Sequence, residues 1–125
     1  MVEKSMSYMV LIVDDNADIL KMISRILEMD GYRVVTASTG HAGIEAAQSP
    51  EVAAVLLDLG LPDLDGLEVL NEIKKIRPRL PVIMVTGNND EEKAQKAVAL
   101  GAWDYITKPI DIVYLKNVVG LSMPR

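Results

Sequence analysis

Five residues able to act on a charged group stand where short apolar runs end. Asp14 and Asp15 follow the run Tyr8–Val13, Asp58 follows Val52–Leu57, Thr86 follows Pro81–Val85, and Lys108 follows Tyr105–Thr107. The remaining run, Arg33–Ala37, ends in Ala37-Ser38-Thr39 and carries no charge there. Three carboxylates held close together repel, and one of them would stay protonated unless a cation came between them. Lys108 supplies one positive charge, and a divalent ion would supply the rest. Carboxylates, a carbonyl and waters form an all-oxygen set that suits Mg²⁺, which takes one or two protein carboxylates and keeps several waters. Taken singly, each aspartate is explained as well by a solvated turn or a helix cap. The joint reading depends on all of them meeting at one place.

The elements between these residues decide whether they meet. The runs are short and bounded by polar, Gly or Pro signals, as expected of strands buried on both faces. Between them lie helical stretches. Ile19, Ile23, Ile26 and Leu27 recur at helix spacing, and Asp30-Gly31 closes that stretch with a glycine suited to a left-handed cap. Ala42–Gln48 is short and alanine-rich, and Ser49-Pro50 stops it. Leu67, Leu70, Ile73 and Lys74 keep the spacing as far as Arg77-Pro78. Asp90–Leu100 opens with acids, which suit the positive end of a helix dipole, and closes at Gly101. Asp111 could cap a last helix carrying Ile112, Leu115, Val118 and Val119. Five strands alternating with five helices predict a parallel sheet covered on both faces, with right-handed crossovers. Ligands of such sheets bind outside the carboxyl ends of the strands, which is where all five residues fall.

Composition sets the outer bounds. The chain has 125 residues, enough for one domain, and no cysteine, which excludes a disulfide scaffold, thiol chemistry and cysteine-based metal sites. Half the residues are hydrophobic and a quarter charged, the balance of a folded domain. Apolar runs reach only six residues, too short to span a membrane, and Met1-Val2-Glu3-Lys4-Ser5 has no apolar core of a secretion signal. A cytoplasmic location is the expectation. The net charge of −5 argues against direct binding of nucleic acid or anionic lipid. Residues 1–7 read as a flexible lead-in, 8–122 as the domain and 123–125 as a tail.

Four segments then carry a resemblance. Val13-Asp14-Asp15, Leu57 to Gly66 (Leu-Asp-Leu-Gly-Leu-Pro-Asp-Leu-Asp-Gly), Val85-Thr86-Gly87 and Gly101 to Pro109 (Gly-Ala-Trp-Asp-Tyr-Ile-Thr-Lys-Pro) resemble, in order and spacing, the CheY-like receiver domains of two-component response regulators. The resemblance extends from about Tyr8 to Leu121. It implies a (βα)5 flavodoxin-like three-layer sandwich with strand order 2-1-3-4-5. It also implies roles. Asp58 would be the phosphoacceptor, and Asp15 a direct Mg²⁺ ligand. Asp14 would hold the ion mostly through water, and the backbone carbonyl of Gly60 would be a further ligand. Lys108 would pair with Asp58 at rest and with the phosphoryl group afterwards, Thr86 would donate its hydroxyl to that group, and Tyr105 would be the aromatic that turns inward when Thr86 moves. The Lys108–Pro109 peptide is expected to be cis, which proline makes accessible.

The function implied is a signalling switch and not a conventional enzyme. It would accept a phosphoryl group from a histidine kinase or histidine phosphotransfer protein, assisting that transfer and its own dephosphorylation. An aspartate nucleophile, with Mg²⁺ and Lys108 stabilising charge on the transferring oxygens, fits phosphoryl transfer. The added charge beside Thr86 can bias a two-state loop with a remote readout. The readout face would be the fourth helix, fifth strand and fifth helix, with Lys93, Lys96, Trp103, Tyr105 and Lys116, meeting an output domain or target protein. Phosphorylation could favour a homodimer, with Tyr114 and Leu115 as candidates for its face. The ending at Met123-Pro124-Arg125 leans toward a receiver cut from a longer regulator or hybrid kinase, with a complete single-domain regulator as the alternative.

Rival readings are weaker on the residues. An aspartate-nucleophile phosphohydrolase would place a second acid two residues after the nucleophile, where this chain has Gly60. A receiver-like docking module that is never phosphorylated would have no need of all five site residues. An FMN protein would not place acidic Asp14-Asp15 in its phosphate loop. Departures from the family pattern are Leu61 for a frequent methionine, Gly87 for alanine and Ile110 for phenylalanine. Gly60 leaves the site open to water, and Gly60 and Asn88 are expected to set the phosphoryl lifetime. The single histidine, His41, reads as a surface residue, and Asp65 as the cap of the third helix. Trp103 is balanced between a docking residue and a cover for the fifth strand.

Overall fold

A computed structural model describes residues 7–87 and 90–124. The expected lead-in therefore falls almost wholly outside the described residues, as do Asn88 and the last residue of the expected tail, Arg125.

The alternation predicted from the sequence is present. The elements are β1 (Met9–Val13), α1 (Ala17–Met29), β2 (Arg33–Ala37), α2 (Gly40–Ala47), β3 (Val52–Asp58), α3 (Gly66–Ile76), β4 (Val82–Thr86), α4 (Glu91–Ala99), β5 (Asp104–Thr107) and α5 (Ile112–Ser122). All neighbouring strands pair in parallel, in the order β2-β1-β3-β4-β5. Two core layers flank the sheet. Leu11, Val13, Val55, Leu57, Val82 and Met84 face α2, α3 and α4 through Ala47, Val69, Leu70, Ile73 and Ala97. Val10, Ile12, Ala54, Leu56, Ile83 and Val85 face α1 and α5 through Ile23, Leu27, Leu115, Val118 and Val119. The alternate residues of each central strand thus divide between the layers, as the pleat requires.

Burial on both faces holds for β1, β3 and β4 but not at the sheet edges. In β2, Arg33 and Thr36 are exposed, and in β5 only Ile106 is buried. An apolar run reports burial but cannot distinguish an edge strand from a central one.

Local signals end the helices as their chemistry predicts. Asn16 caps α1 by accepting from the Asp18 and Ile19 amides, and Asp111 caps α5 by accepting from the Tyr114 amide. Asp65 caps α3 in a reciprocal capping box with Glu68, as expected. Gly31 and Gly101 take φ of +92° and +110°, the left-handed region open to glycine. Asp90 precedes α4, but its side chain makes no capping bond.

Polar contacts of two side chains at the end of α3 close the opposite end of the sheet. The Arg77 guanidinium donates to the carbonyls of Ser49 at 2.7 Å, Val52 at 2.8 Å and Ala47 at 3.4 Å. Lys74, which continues the apolar spacing of α3 in the sequence, instead donates to the carbonyls of Leu80 at 2.7 Å and Pro78 at 3.2 Å.

Candidate functional site

The strand register brings the ends of β1, β3, β4 and β5 to one edge of the sheet. Val13 pairs with Leu57, Asp58 with Val85 and Thr86 with Thr107. Each ladder continues one step beyond its strand: the Asp14 amide donates to Ala37, the Leu59 amide to Val85 and the Lys108 amide to Thr86. Asp14 and Asp58 continue the even-numbered series Val10, Ile12 and Ala54, Leu56, so the pleat turns both carboxylates to the same face of adjacent strands.

Asp14, Asp15 and Asp58 each bring a carboxylate oxygen within 4.8 Å of the others. Asp14 and Asp58 are buried, whereas Asp15 is exposed. Lys108 Nζ lies 3.5 Å from Asp58 Oδ1 and 3.6 Å from Asp14 Oδ2, so it bridges the two buried acids. Burial holds the Asp14 carboxyl above its ordinary range, and the charges of Asp58 and Asp15 add to this. The Asn16 amide, which donates to Asp14 Oδ1 at 2.9 Å, and the Lys108 ammonium work in the opposite direction. One ammonium against three carboxylates leaves a site able to hold a divalent cation.

Thr86 is fully buried, and its hydroxyl has no hydrogen-bond partner among the described residues. An unpartnered buried hydroxyl is costly, and this one stands at the end of β4 next to Val85, the register partner of Asp58. Tyr105, on β5, is half-buried against the core, and Met84 is its partner in the register. The Lys108–Pro109 peptide is cis.

The β3–α3 loop carries Gly60 over this edge. A bridge pairs Gly60 with Asp65, and the Gly66 amide donates to Leu59. A Cβ at Gly66 would lie 2.6 Å from the Leu59 Cα, so only glycine fits that close approach. A Cβ at Gly60 would meet nothing within 4 Å, leaving that side open. Leu61 and Ile110 both pack against the core, and space remains around Gly87.

The outer residues are more scattered than the sequence suggested. Trp103 is half-exposed, at 51%. Lys93 turns toward the β3–α3 loop and pairs with Asp65 at 3.3 Å. Lys116 pairs with Asp30 at the end of α1, at 3.6 Å, and so ties α5 to α1. The Tyr114 hydroxyl donates to Asp104 at 3.0 Å. His41 is exposed as expected, yet its ring Nδ1 lies 2.7 Å from Asp63 Oδ2, a pairing the sequence did not suggest. No helix among the described residues is long and apolar enough to cross a membrane.

Residues 10–120 match the family described as the response regulator receiver domain. Over 101 residues, covering 81% of this chain and 23% of the relative, the sequence is 36% identical to the transcriptional regulatory protein GlrR of Escherichia coli. It is 37% identical over 103 residues to the probable transcriptional regulatory protein TcrX of Mycobacterium tuberculosis, covering 82% of this chain and 44% of that one. The chain thus spans between about a quarter and under a half of these curated relatives. Among solved structures, a response regulator receiver domain protein from Clostridium thermocellum superposes with a TM-score of 0.88 at 34% identity, covering 92% of this chain and 93% of that one. The receiver domain of NtrX from Brucella abortus gives 0.86 at 36% identity, covering 90% and 96%.

Proposed function

The chain belongs to the response regulator receiver family, whose members are signalling switches, and we propose that within it the chain is a phosphorylation-competent switch with Asp58 as phosphoacceptor. The observation that carries this reading is the convergence of Asp14, Asp15 and Lys108 on the buried Asp58 carboxylate, with the Thr86 hydroxyl, unpartnered among the described residues, at the same sheet edge.

The site fits Mg²⁺ by its donors, because three carboxylate oxygens within 4.8 Å need more cationic charge than one lysine provides. Asp15, Asp58 and the Gly60 carbonyl would hold the ion directly and Asp14 through water. When bound, Mg²⁺ would neutralise charge on the phosphoryl oxygens. The chain's own groups do the rest. A carboxylate oxygen of Asp58 attacks the phosphorus of a phosphohistidine, the P–N bond breaks, and the imidazole leaves. Lys108 leaves its resting contact with Asp58 for a phosphoryl oxygen, and the Thr86 hydroxyl donates to another. Tyr105 then turns inward, altering the α4-β5-α5 face. Water reaching the phosphorus past the open side at Gly60 attacks it, the P–O bond to Asp58 breaks, and inorganic phosphate leaves with the Asp58 carboxylate restored.

The donor of the group would be a sensor histidine kinase or a histidine phosphotransfer protein. The altered face would meet an output domain or target protein, or a second copy of the chain. The receiver would comprise residues 8–122 and work in the cytoplasm, without direct contact with nucleic acid or membrane.

Backbone amide NMR in three states tests this: metal-free, with Mg²⁺, and with Mg²⁺ plus beryllofluoride, a slowly exchanging mimic of an aspartyl phosphate. Mg²⁺ should move peaks around Asp15 and Asp58. Beryllofluoride should then move Thr86 through Tyr105 in the parent and nothing in Asp58→Asn. Mg²⁺ binding without a beryllofluoride response would favour a docking module instead.

A further inference from the structure

Asp63 sits in the β3–α3 loop, but it caps a different helix. Its Oδ1 accepts from the Gly40 amide at 2.7 Å, and its Oδ2 accepts from the His41 amide at 3.0 Å and faces the His41 ring at 2.7 Å. Both amides belong to the first turn of α2, 22 and 23 residues earlier in the chain. Helix α2 has its own cap as well: Thr39 Oγ1 accepts from the Ala42 amide at 3.1 Å. Asp63 therefore adds a second set of acceptors from another part of the fold. These bonds hold its carboxyl far below the ordinary carboxylate range, the Gly40 amide contributing most and the His41 amide next.

Packing fixes the same contact independently. A Cβ at Gly40 would lie 2.9 Å from Val69 Cγ2, 3.1 Å from Leu64 Cβ and 3.2 Å from Asp63 Oδ1. The start of α2 is thus seated directly on the loop and on α3, with no room for a side chain between them. On its other flank the loop is held by the Asp65–Lys93 pair. Only a short stretch separates Asp63 from Asp58 and Gly60.

We infer that Asp63 is a positioning residue: by tethering the β3–α3 loop to the first turn of α2, it fixes the Gly60 backbone and so sets the affinity of the site for Mg²⁺. The inference rests on the reading above that Gly60 contributes a carbonyl ligand. Residues that orient a metal's ligands commonly change affinity by about tenfold or more when lost. The exposed His41 ring adds little, since exposed ion pairs are weak.

The test uses Asp63→Ala, Asp63→Asn, His41→Ala and Thr39→Ala. In metal-free protein, Asp63→Ala should speed amide hydrogen exchange at Gly40 and His41 and shift the Gly60 amide resonance. In Mg²⁺ titrations followed by NMR, its midpoint should rise about tenfold. Asp63→Asn should recover part of the loss, and His41→Ala should stay near the parent. Thr39→Ala frays the same helical turn without touching the loop. It should speed exchange at Ala42 and leave the Mg²⁺ midpoint unchanged.

An unchanged midpoint in Asp63→Ala would overturn the inference, and so would equal shifts in Asp63→Ala and Thr39→Ala. If the parent itself binds no Mg²⁺, the metal reading fails and takes the affinity claim with it. The metal-free exchange and Gly60 data would then still decide the tether.

Discussion

Replacing Asp14 by asparagine should stabilise the metal-free protein while weakening its response to Mg²⁺. The carboxylate oxygens of Asp14 and Asp58 lie within 4.8 Å, and two unit charges at that distance repel by ~3.5 kcal/mol at an effective dielectric constant of about 20. Asp15 is exposed, so its repulsion with Asp14 is screened to about half that value. Against this stands Lys108, 3.6 Å from Asp14 and partly exposed, whose attraction is ~2–3 kcal/mol after screening. The Coulombic balance is about 2–3 kcal/mol in favour of the neutral side chain; relief of the burial penalty adds to it, and the stronger bond that a carboxylate accepts from the Asn16 amide works against it. Asparagine keeps an oxygen to accept from the Asn16 amide, so little geometry is lost.

The pH dependence follows from the raised native pKa. Ionising Asp14 costs native stability, and that cost begins as the pH rises above the unfolded value of 3.8 and is complete above the raised native value. The gain in Asp14→Asn should therefore be full at neutral pH and vanish in acid. Urea unfolding followed by circular dichroism in chelator measures it, and thermal unfolding should show about 3–5 °C for each kcal/mol. Mg²⁺ at about ten times its Kd should stabilise the parent by ~1.4 kcal/mol and the D14N protein by much less. A D14N protein no more stable than the parent in chelator would refute the view that these acids repel one another by more than Lys108 offsets.

Two further outcomes follow from contacts away from the cluster. Arg77→Ala leaves the carbonyls of Ser49 and Val52 without their charged donor and should lower stability by about 2–3 kcal/mol in urea unfolding. All three carbonyl bonds of Arg77 come from the single nitrogen Nη1, so Arg77→Lys should recover only the part that its side chain, one atom shorter, still reaches, and full recovery would show that the reach of the guanidinium is immaterial. The depressed Asp63 carboxyl contributes stability that is complete above the unfolded value of 3.8 and is lost as the pH falls toward its native value. The gap in urea midpoint between parent and Asp63→Asn should thus be constant down to about pH 4 and narrow between about pH 4 and about pH 2.5. A gap that does not change with pH would mean that the Asp63 charge is irrelevant to α2.

Much of the fold was legible because its signals are local. A run such as Val52–Leu57 between polar residues reads as a buried strand, and Gly31 after Asp30 reads as a helix end, without knowledge of the rest of the chain. Asp65 could be identified as a cap for the same reason, because its acceptor serves the next helix. Asp63 and Arg77 were not legible. Their partners lie 22 to 30 residues away and are backbone amides and carbonyls, which leave no trace in residue type. Lys74 was read by its spacing alone, which cannot show that its ammonium reaches the carbonyls of Pro78 and Leu80. Lys116 was assigned to the α4-β5-α5 face because its element belongs there, but the direction of its side chain toward Asp30 depends on helix rotation.

The convergence of Asp14, Asp58 and Lys108 is a different case, because it is long-range yet was legible. A parallel sheet joined by crossovers sends every strand the same way, so residues that end different strands meet at one edge whatever the loops between them. Register then refines the arrangement. Pairing of Val13 with Leu57 makes Asp14 and Asp58 neighbours on one face, and a shift of a single residue would turn one carboxylate to the other layer. That register is set by the central strands, where Leu11, Ile12, Leu56 and Leu57 are fully buried. The apolar core therefore does two things for the acids at its edge. It fixes which face they share, and its burial offsets the repulsion that sharing entails. Substitutions within β1 or β3 that preserve volume should leave the cluster intact, whereas those that move the register should disperse it even where every aspartate remains.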